Sequence, residues 1–394
     1  MSRGIITGID IGTHSVKVVI SRGGEKNEKG FPKVIGTGFA ETKGLRHGYI
    51  VDMDDAVYSI KRAVFEAEKK AQIKVKKAFV SIGGVGLGSI VSTSSTIIYK
   101  GDSEISLIDV KKAQDQCEKD IPANQILNKK IIHNIPLQYK IDGKVVLGKP
   151  EGMKGTKLEV KTLYITCLEQ QLNDTIQAVE EAGIAVEDVM ASPIALSFVT
   201  LSKSQKVAGC VLANIGAETT SLSVFENNTP VSMEVLPIGG SDITNDIALG
   251  IKVPIEEAEQ IKVGAITGSS YSRKKLEEIV EARLSDIFEL IESHLKKLSR
   301  NGLLPAGIVL AGGGSLLSGI EDLAKDSLKI PSRIANVELK IQEKSNYKDT
   351  IFGVAYGLCV LGMNTDEEAS IDTSTQYLTK TGKAIFSWFK QFLP

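Results

Sequence analysis

The sequence is poor in the residues from which metal centres and disulfide frameworks are made. Its cysteines are Cys117, Cys167, Cys210 and Cys359, far apart and without a CxxC pair. That spacing speaks against both a zinc site and a cystine scaffold. Histidine is equally sparse, with 4 scattered along the chain, so a His-based metal site is not expected either. Neither sign of charge is in excess: 47 Lys+Arg stand against 48 Asp+Glu. The basic footprint of a nucleic-acid binder is missing, and no nucleic-acid partner is expected. No apolar run approaches the roughly 20 residues of a membrane-spanning helix. The N-terminus enters a strand-like run at once (Ile5-Ile6-Thr7-Gly8-Ile9-Asp10) with no signal-peptide pattern. A cytosolic chain is expected unless something holds it to a membrane from one side. Aromatics are only 5% of the residues, yet the single Trp and three of the Phe cluster at the C-terminus.

At 394 residues the chain is too long for one core and implies two or more domains. Residues 5–20 and 34–40 read as strands, with a turn over Ser21 to Gly30. Residues 54–71 read as a helix, where Val57, Ile60, Val64, Ala67 and Ala71 share a face and Asp52 or Asp54 can cap the start. The strand at 77–82 runs into Gly83-Gly84-Val85-Gly86-Leu87-Gly88. This run lacks the GxGxxG register, and a chain crossing into another domain explains it better than a nucleotide loop. Residues 89–165 read as a separate small unit with its own strands and the polar helix Ser106–Lys119. Further on, helices are expected at Ser241–Leu249, Glu256–Val263 and Arg273–Arg300, and a strand at Ile308–Ala311. Strands and helices alternate throughout, the α/β pattern.

Two segments share one pattern. Gly8-Ile9-Asp10-Ile11-Gly12-Thr13-His14-Ser15-Val16-Lys17 recurs in kind as Ala213-Asn214-Ile215-Gly216-Ala217-Glu218-Thr219-Thr220-Ser221. Each is an apolar strand, a carboxylate or amide, a glycine, short polar residues, then an alternating strand. That is a β-hairpin with a tight turn. Glycine lets such a turn approach a ligand closely, and turn N–H groups facing one way make an anion-binding nest. Two nests facing each other across a cleft suit a polyphosphate. Asp10, at the end of its strand, is placed to meet a hydrated Mg²⁺ ion, which prefers carboxylate and water. A third element, Ile308-Val309-Leu310-Ala311-Gly312-Gly313-Gly314-Ser315, reads as a strand delivering glycines to the start of a helix. Each motif alone is also what an ordinary ligand-free glycine turn looks like. The signal lies in their order and spacing.

The three elements together resemble the actin/Hsp70/sugar-kinase superfamily, as two phosphate motifs and an adenosine motif. In detail the chain is similar to the FtsA family. The resemblance rests on Gly48-Tyr49-Ile50-Val51-Asp52, Asn134-Ile135-Pro136-Leu137-Gln138-Tyr139, Leu236-Pro237-Ile238-Gly239-Gly240 and Ala258-Glu259-Gln260-Ile261-Lys262, in that order. It covers residues 4 to about 363. It implies an α/β, actin-like (ribonuclease H-like) two-lobed fold, with four subdomains around a nucleotide cleft and an inserted FtsA-type 1C (SHS2) subdomain. By position, 1–84, 166–204 and 346–363 would form subdomain 1A and 85–165 the insertion. Residues 205–250 and 303–345 would form 2A, and 251–302 would form 2B.

The same resemblance implies that ATP and Mg²⁺ are the cofactors. Gly12, Thr13, His14, Ser15 and Lys17 would contact nucleotide from one side, and Gly216, Ala217, Glu218, Thr219 and Gly240 from the other. Glu259 and Lys262 would reach the ribose and base, and Gly313 and Gly314 would pack on the adenosine. Asp10 would hold the metal through water. Taken without the resemblance, Glu259 and Lys262 read as a solvated pair one helical turn apart. One departure bears on catalysis. The second phosphate motif of this superfamily starts with aspartate, and here it is Asn214. Asparagine cannot take a proton from attacking water. Glu218 offers a substitute carboxylate, but at that place it would equally repel the γ-phosphate. Nucleotide binding with slow or absent hydrolysis is expected.

The tail changes character twice. Residues 364–380 are polar and read as a flexible linker. Residues 381–394 then turn aromatic. On a helix, Ile385, Trp388, Phe389 and Phe392 form a stripe widened by Phe386 and Leu393, with Lys383, Ser387, Lys390 and Gln391 around it. That face suits an anionic lipid interface. A terminal helix docked on this protein or on a partner is the plainer alternative. The FtsA resemblance implies a peripheral protein at the cytoplasmic face of the division site. It would polymerise with itself, bind a tubulin-like FtsZ polymer and meet other division proteins. A PilM-like pilus scaffold is the alternative within the fold. A sugar kinase would need a substrate-facing base, for which no candidate stands out, and an Hsp70-type chaperone would need a further domain after the ATPase.

Overall fold

A computed structural model describes residues 4–26, 30–99, 101, 103–265, 271–339 and 349–369. Two five-stranded sheets carry the molecule, and they follow one plan. Across the first run Pro32–Glu41, Ser15–Lys26, Ile5–Ile11, Lys77–Ile82 and Ala185–Ala191. Across the second run Thr229–Leu236, Thr220–Glu226, Cys210–Ile215, Ile308–Ala311 and Ser332–Ile334. In each, an antiparallel hairpin continues into a third antiparallel strand on one side, while two parallel strands complete the other. The pattern seen twice in the sequence is therefore the same pair of central strands in two similar lobes.

The helices follow from apolar spacing and caps. Met53–Ala71 buries Ala56, Val57, Ile60, Ala63, Val64 and Ala67 against Ile9, Val16, Val18 and Ile20 of the first sheet. Asp52 caps it, its carboxylate accepting the Asp55 N–H at 3.0 Å, and Lys69 and Lys70 sit in the last turn. In the second lobe the corresponding connection is longer: Gly240–Ile251, Ile255–Lys262 and Arg273–Lys297. Two more helices, Ser192–Thr200 and Gly353–Ala369, join the lobes. Their Ala195, Leu196, Ala355 and Leu358 share one buried cluster with Ile6, Val19 and Phe79 of the first sheet and Leu212, Phe225 and Val309 of the second. The second of these helices lies close on strand Ile5–Ile11. A Cβ on Gly8 would stand 2.1 Å from the Ala355 carbonyl oxygen, so only glycine allows that approach.

Between Lys77–Ile82 and the helix Glu169–Glu181, the first lobe carries a four-stranded sheet ordered Gly88–Ile97, Lys157–Leu168, Lys129–Ile141, Lys144–Val146. Its helix Leu107–Lys119 covers one face through Ala113 and Cys117, packed on Leu158, Val160 and Tyr164. Ile135, Leu163 and Ile165 on the other face join the cluster shared by the lobes. The unit is thus buried on both sides and seated on the body of the molecule.

Three local expectations are corrected. Ser15–Lys26 runs on through Gly23-Gly24, because Ser21 and Arg22 stay paired with Val34 and Lys33 where a turn was expected. The glycines after Ile308–Ala311 enter a short 3₁₀ turn, Gly313–Leu316, and the next helix starts only at Ile320. Gly353–Ala369 is one helix, so 364–369, expected to begin a linker, have helical backbone. The rest of that linker and the aromatic segment 381–394 lie outside the described residues.

Candidate functional site: a cleft between two glycine hairpins

The two hairpin turns are closed by the same bond. Gly12 N–H donates to Ser15 O at 3.1 Å, and Gly216 N–H donates to Thr219 O at 2.8 Å. Asp10 stands opposite Lys17 in the first ladder, as Asn214 stands opposite Ser221 in the second. The first turn is strapped from outside by Thr42, whose hydroxyl donates to Gly12 O at 2.8 Å and whose N–H donates to His14 O at 3.0 Å. The second is backed by a helix start. Gly240 N–H donates to Gly216 O at 2.9 Å and Ser241 N–H to Ala217 O at 2.7 Å.

Asp10 is buried and fixed from two sides. Its Oδ1 accepts the Ser81 hydroxyl at 2.8 Å, and its Oδ2 lies 3.3 Å from Lys17 Nζ. Lys17 also donates to Ser15 O at 3.1 Å, which lays its ammonium along the turn. Ser81 and Thr42 escaped the sequence reading. The signal for Ser81 is topological: it follows Val80, which pairs in parallel with Ile9, and nothing in the local sequence marks it.

Glu259 and Lys262 are not a free solvated pair. Lys262 Nζ lies 2.6 Å from Glu259 Oε2 and donates to Gly240 O at 2.9 Å and Thr244 Oγ1 at 2.8 Å. The lysine side chain is only 11% exposed. Burial alone would raise the Glu259 carboxyl. Hydrogen bonds from Lys262 and Thr244, with the charge of Lys262 and a smaller effect of His14, outweigh it and hold the group below its ordinary value.

Asn214 and Glu218, the two residues weighed for catalysis, point different ways. A Cβ on Gly312 would stand 2.5 Å from Asn214 Oδ1, so the amide packs against the third glycine element. Glu218 reaches the first lobe, where its Oε2 accepts the His47 N–H at 2.5 Å. Gly314 packs on Ile215, whereas a Cβ on Gly313 would meet nothing within 4 Å, leaving that wall open. Thr13, His14 and Ser15 lie in the first hairpin, Ala217 and Thr219 in the second, and Lys17, Lys262 and Gly240 line up beside them. Of the residues singled out in the sequence, those of the two hairpins, of the Lys262–Gly240 contact and of the third glycine element are thus placed in the fold, while the tail residues Ile385, Phe386, Trp388, Phe389, Phe392 and Leu393 lie outside the described residues.

Comparison with known proteins fixes the family. The model for the cell division protein FtsA matches residues 211–357, and that for the SHS2 domain inserted in FtsA matches 87–166. The cell division protein FtsA of Pseudomonas aeruginosa is 30% identical over 92% of this chain and 90% of its own length. The chain belongs to the FtsA family of cell division proteins. A second relative, FtsA of Bacillus subtilis, is 30% identical over 83% of this chain and 78% of its own length. Among solved structures, a PilM–PilN type IV pilus biogenesis complex matches with a TM-score of 0.67 at 19% identity, covering 92% of this chain and 99% of that one. MreB5 of Spiroplasma citri bound to ADP matches with a TM-score of 0.51 at 14% identity, covering 94% and 99%. These likenesses show an actin-like fold. The four-stranded unit of this FtsA-family chain is its SHS2 insertion. The pilus protein shares the fold, while the sequence match sets this chain with the division proteins.

Proposed function

We propose that this chain binds ATP with Mg²⁺ in the cleft between its lobes and assembles into actin-like filaments at the division site. There, on the cytoplasmic face of the membrane, it tethers a tubulin-like FtsZ polymer and meets other division proteins. The observation that carries the reading is the pair of equivalent glycine hairpins, one in each lobe, in a chain of the FtsA family. Thr13 to Ser15 and Ala217 to Thr219 would hold the phosphates through backbone N–H groups, with Gly12 and Gly216 closing the turns and Lys17 supplying positive charge. Lys262 and Glu259 would order the sugar end, and the open backbone at Gly313 would take the base.

The residues fit Mg²⁺ only in part-hydrated form. Among the described residues no cluster of His, Cys, Asp or Glu is able to enclose an ion, so Asp10 would hold it through water while phosphate oxygens complete the shell. When bound, the ion neutralises phosphate charge. The chain's own part is to hold the Asp10 carboxylate with Ser81 and Lys17. Hydrolysis would be slow, since Asn214 takes no proton and Glu218 is engaged by His47. ATP would then act chiefly by stabilising the closed cleft.

Membrane contact falls to 381–394. Among the described residues no helix is long and apolar enough to cross a membrane. Burying each large side chain of the aromatic stripe is worth roughly 1.5–3 kcal/mol, less the ordering of the helix. One copy would bind weakly and a filament strongly. Flotation with anionic liposomes tests this, comparing the full chain with a version ending at Ala369, which keeps the last described helix intact. Flotation of the full chain alone, strengthened by Mg-ATP, is the expected result. Equal flotation of both chains, or none of either, rules out the anchor.

A further inference from the structure

Residues Leu45–Arg46 and Tyr49–Ile50 form a miniature two-stranded hairpin that projects from the first lobe. Its base is closed by Val51 N–H and Asp52 N–H, both donated to Gly44 O. His47 and Gly48 are the tip, with φ of 49° and 86°. Positive φ at both central residues is the tight-turn geometry of short hairpins, and it turns the His47 N–H and C=O outward in different directions.

That tip meets three parts of the molecule at once. The His47 N–H is donated to Glu218 Oε2 in the second glycine hairpin, and the His47 ring nitrogen Nδ1 lies 3.4 Å from Glu218 O. The His47 carbonyl accepts the Val85 N–H at 3.2 Å. Val85 lies just before Gly88–Ile97, the strand that opens the SHS2 insertion. The Gly48 carbonyl accepts Gln171 Nε2 at 2.9 Å, and the same amide is bonded to Gly83 O. Gln171 lies just after Lys157–Leu168, the strand that closes the insertion. Gly48 and Gly84 are in backbone contact: a Cβ on Gly48 would stand 2.4 Å from Gly84 Cα. Both ends of the insertion are therefore bonded to one two-residue tip, and Glu218 holds that tip from across the cleft. The insertion also touches the second lobe directly, where Ser89 Oγ donates to Met233 O at 2.9 Å and accepts Met233 N–H at 2.8 Å.

We propose that the 45–50 hairpin is a relay, through which the state of the second glycine hairpin sets the seating of the SHS2 insertion. The inference rests on the nucleotide-binding reading of the cleft. A phosphate at Gly216–Thr219 draws on the same turn that carries Glu218. Moving or tightening that turn shifts a carboxylate bonded to the tip, and the tip has no freedom to yield without disturbing Val85 and Gln171. The carboxylate-to-N–H bond is the charge-assisted kind, able to transmit such a bias. Linkage makes the coupling reciprocal: a partner that reseats the insertion changes nucleotide affinity by the same factor.

Hydrogen exchange on the full chain tests this, with and without saturating Mg·AMP-PNP, in the native protein, Glu218→Ala and Glu218→Gln. In the native protein the analogue should slow exchange in both glycine hairpins. It should also slow exchange at 84–89 and 169–172, by about fivefold or more, the lower range of measured couplings. Glu218→Ala removes the side-chain bond to His47 but retains the backbone N–H groups of the turn, so at saturating analogue hairpin protection should persist while the response at 84–89 and 169–172 is lost. Glu218→Gln, which still offers a carbonyl oxygen to the His47 N–H, should restore much of it. Protection of the hairpins with no response at the base of the insertion sinks the relay and leaves the nucleotide reading intact. So does an undiminished response in Glu218→Ala. Failure of the analogue to protect either hairpin in the native protein removes the nucleotide reading, and the relay with it. Glu218 is a partly exposed turn residue, so both variants are expected to fold, with unchanged circular dichroism as the check.

Discussion

Lys262 Nζ and Glu259 Oε2 lie 2.6 Å apart, one helical turn from each other, and the ammonium also reaches Gly240 O and Thr244 Oγ1. Of the three acceptors around this ammonium, Gly240 O and Thr244 Oγ1 fix the helix Ile255–Lys262 to the start of Gly240–Ile251, which in turn backs the second glycine hairpin. Lys262→Met should therefore loosen the cleft as well as remove a charge. Loss of a charge-assisted contact of about 1.5–3 kcal/mol corresponds to a drop in ATP affinity of roughly tenfold or more. Lys262→Arg should rescue poorly, because a planar fork does not replace a compact ammonium among three acceptors. Titration with a fluorescent ATP analogue reads both; native affinity in Lys262→Met would take this pair out of the site.

Gly8 and Ala355 mark the closest approach between the first sheet and the helix that joins the lobes. A Cβ on Gly8 would meet the Ala355 carbonyl oxygen at 2.1 Å and Leu358 Cβ at 2.9 Å. The helix cannot yield without breaking the cluster that unites both sheets. Gly8→Ala should cost about 3 kcal/mol or more, seen as a lower thermal midpoint and a lower urea midpoint. A change within half a kcal/mol would mean that the helix is free to slide.

How much of this was legible beforehand depended on the range of the signal. Met53–Ala71 and Ile308–Ala311 were readable because apolar period and flanking turn residues are local. The two hairpins were readable because Gly12 and Gly216 each sit in a short, repeated pattern. Ser81 and Thr42 were not, since what makes them part of the site is strand order, which brings Ser81 beside Asp10 across a parallel pair. The contact made by Glu218 was not legible for a similar reason. Its partner, His47, lies far away in sequence, and only the folded chain puts the two together. The polar run after Met363 suggested a linker, yet helical backbone continues to Ala369, because composition sets burial and not the local backbone state.

His133 gives the fold a pH dependence. It lies on the Lys129–Ile141 strand of the insertion, fully buried, and its Nε2 accepts the Ala191 N–H of the first lobe at 3.3 Å. Burial pushes the imidazole down to about 3 from its ordinary 6.5, so it stays neutral in the folded protein. Between those values the unfolded chain holds a proton that the folded chain does not. Stability from this group is complete above pH 6.5 and falls with pH below it, by about 1.4 kcal/mol per unit. His133→Gln keeps an acceptor for Ala191 and cannot be protonated. Urea unfolding from pH 7 to pH 5 should show a steeper loss in the native protein than in this variant. Parallel slopes would show that the ring is already charged, or open to water, in the fold.

Asn214 is a neutral amide on the strand Cys210–Ile215, and the carboxylate of the second hairpin, Glu218, is bonded to the His47 N–H. On the proposed reading, neither residue would meet the nucleotide as a free base. Asn214→Asp changes the amide to a carboxylate of the same shape at a position that already packs on Gly312. General-base assistance is commonly worth 10²–10⁴ in rate, and a base introduced without evolved partners realises only part of it. Phosphate release from Mg-ATP should rise at least roughly tenfold in Asn214→Asp, with binding affinity reduced by repulsion between the new charge and the γ-phosphate. Glu218→Gln should leave the proposed slow native rate nearly unchanged, because on this reading its carboxylate serves the His47 contact and not the water. A sharp fall of the native rate in Glu218→Gln would make Glu218 the base after all, and would mean that its bond to His47 breaks when nucleotide binds.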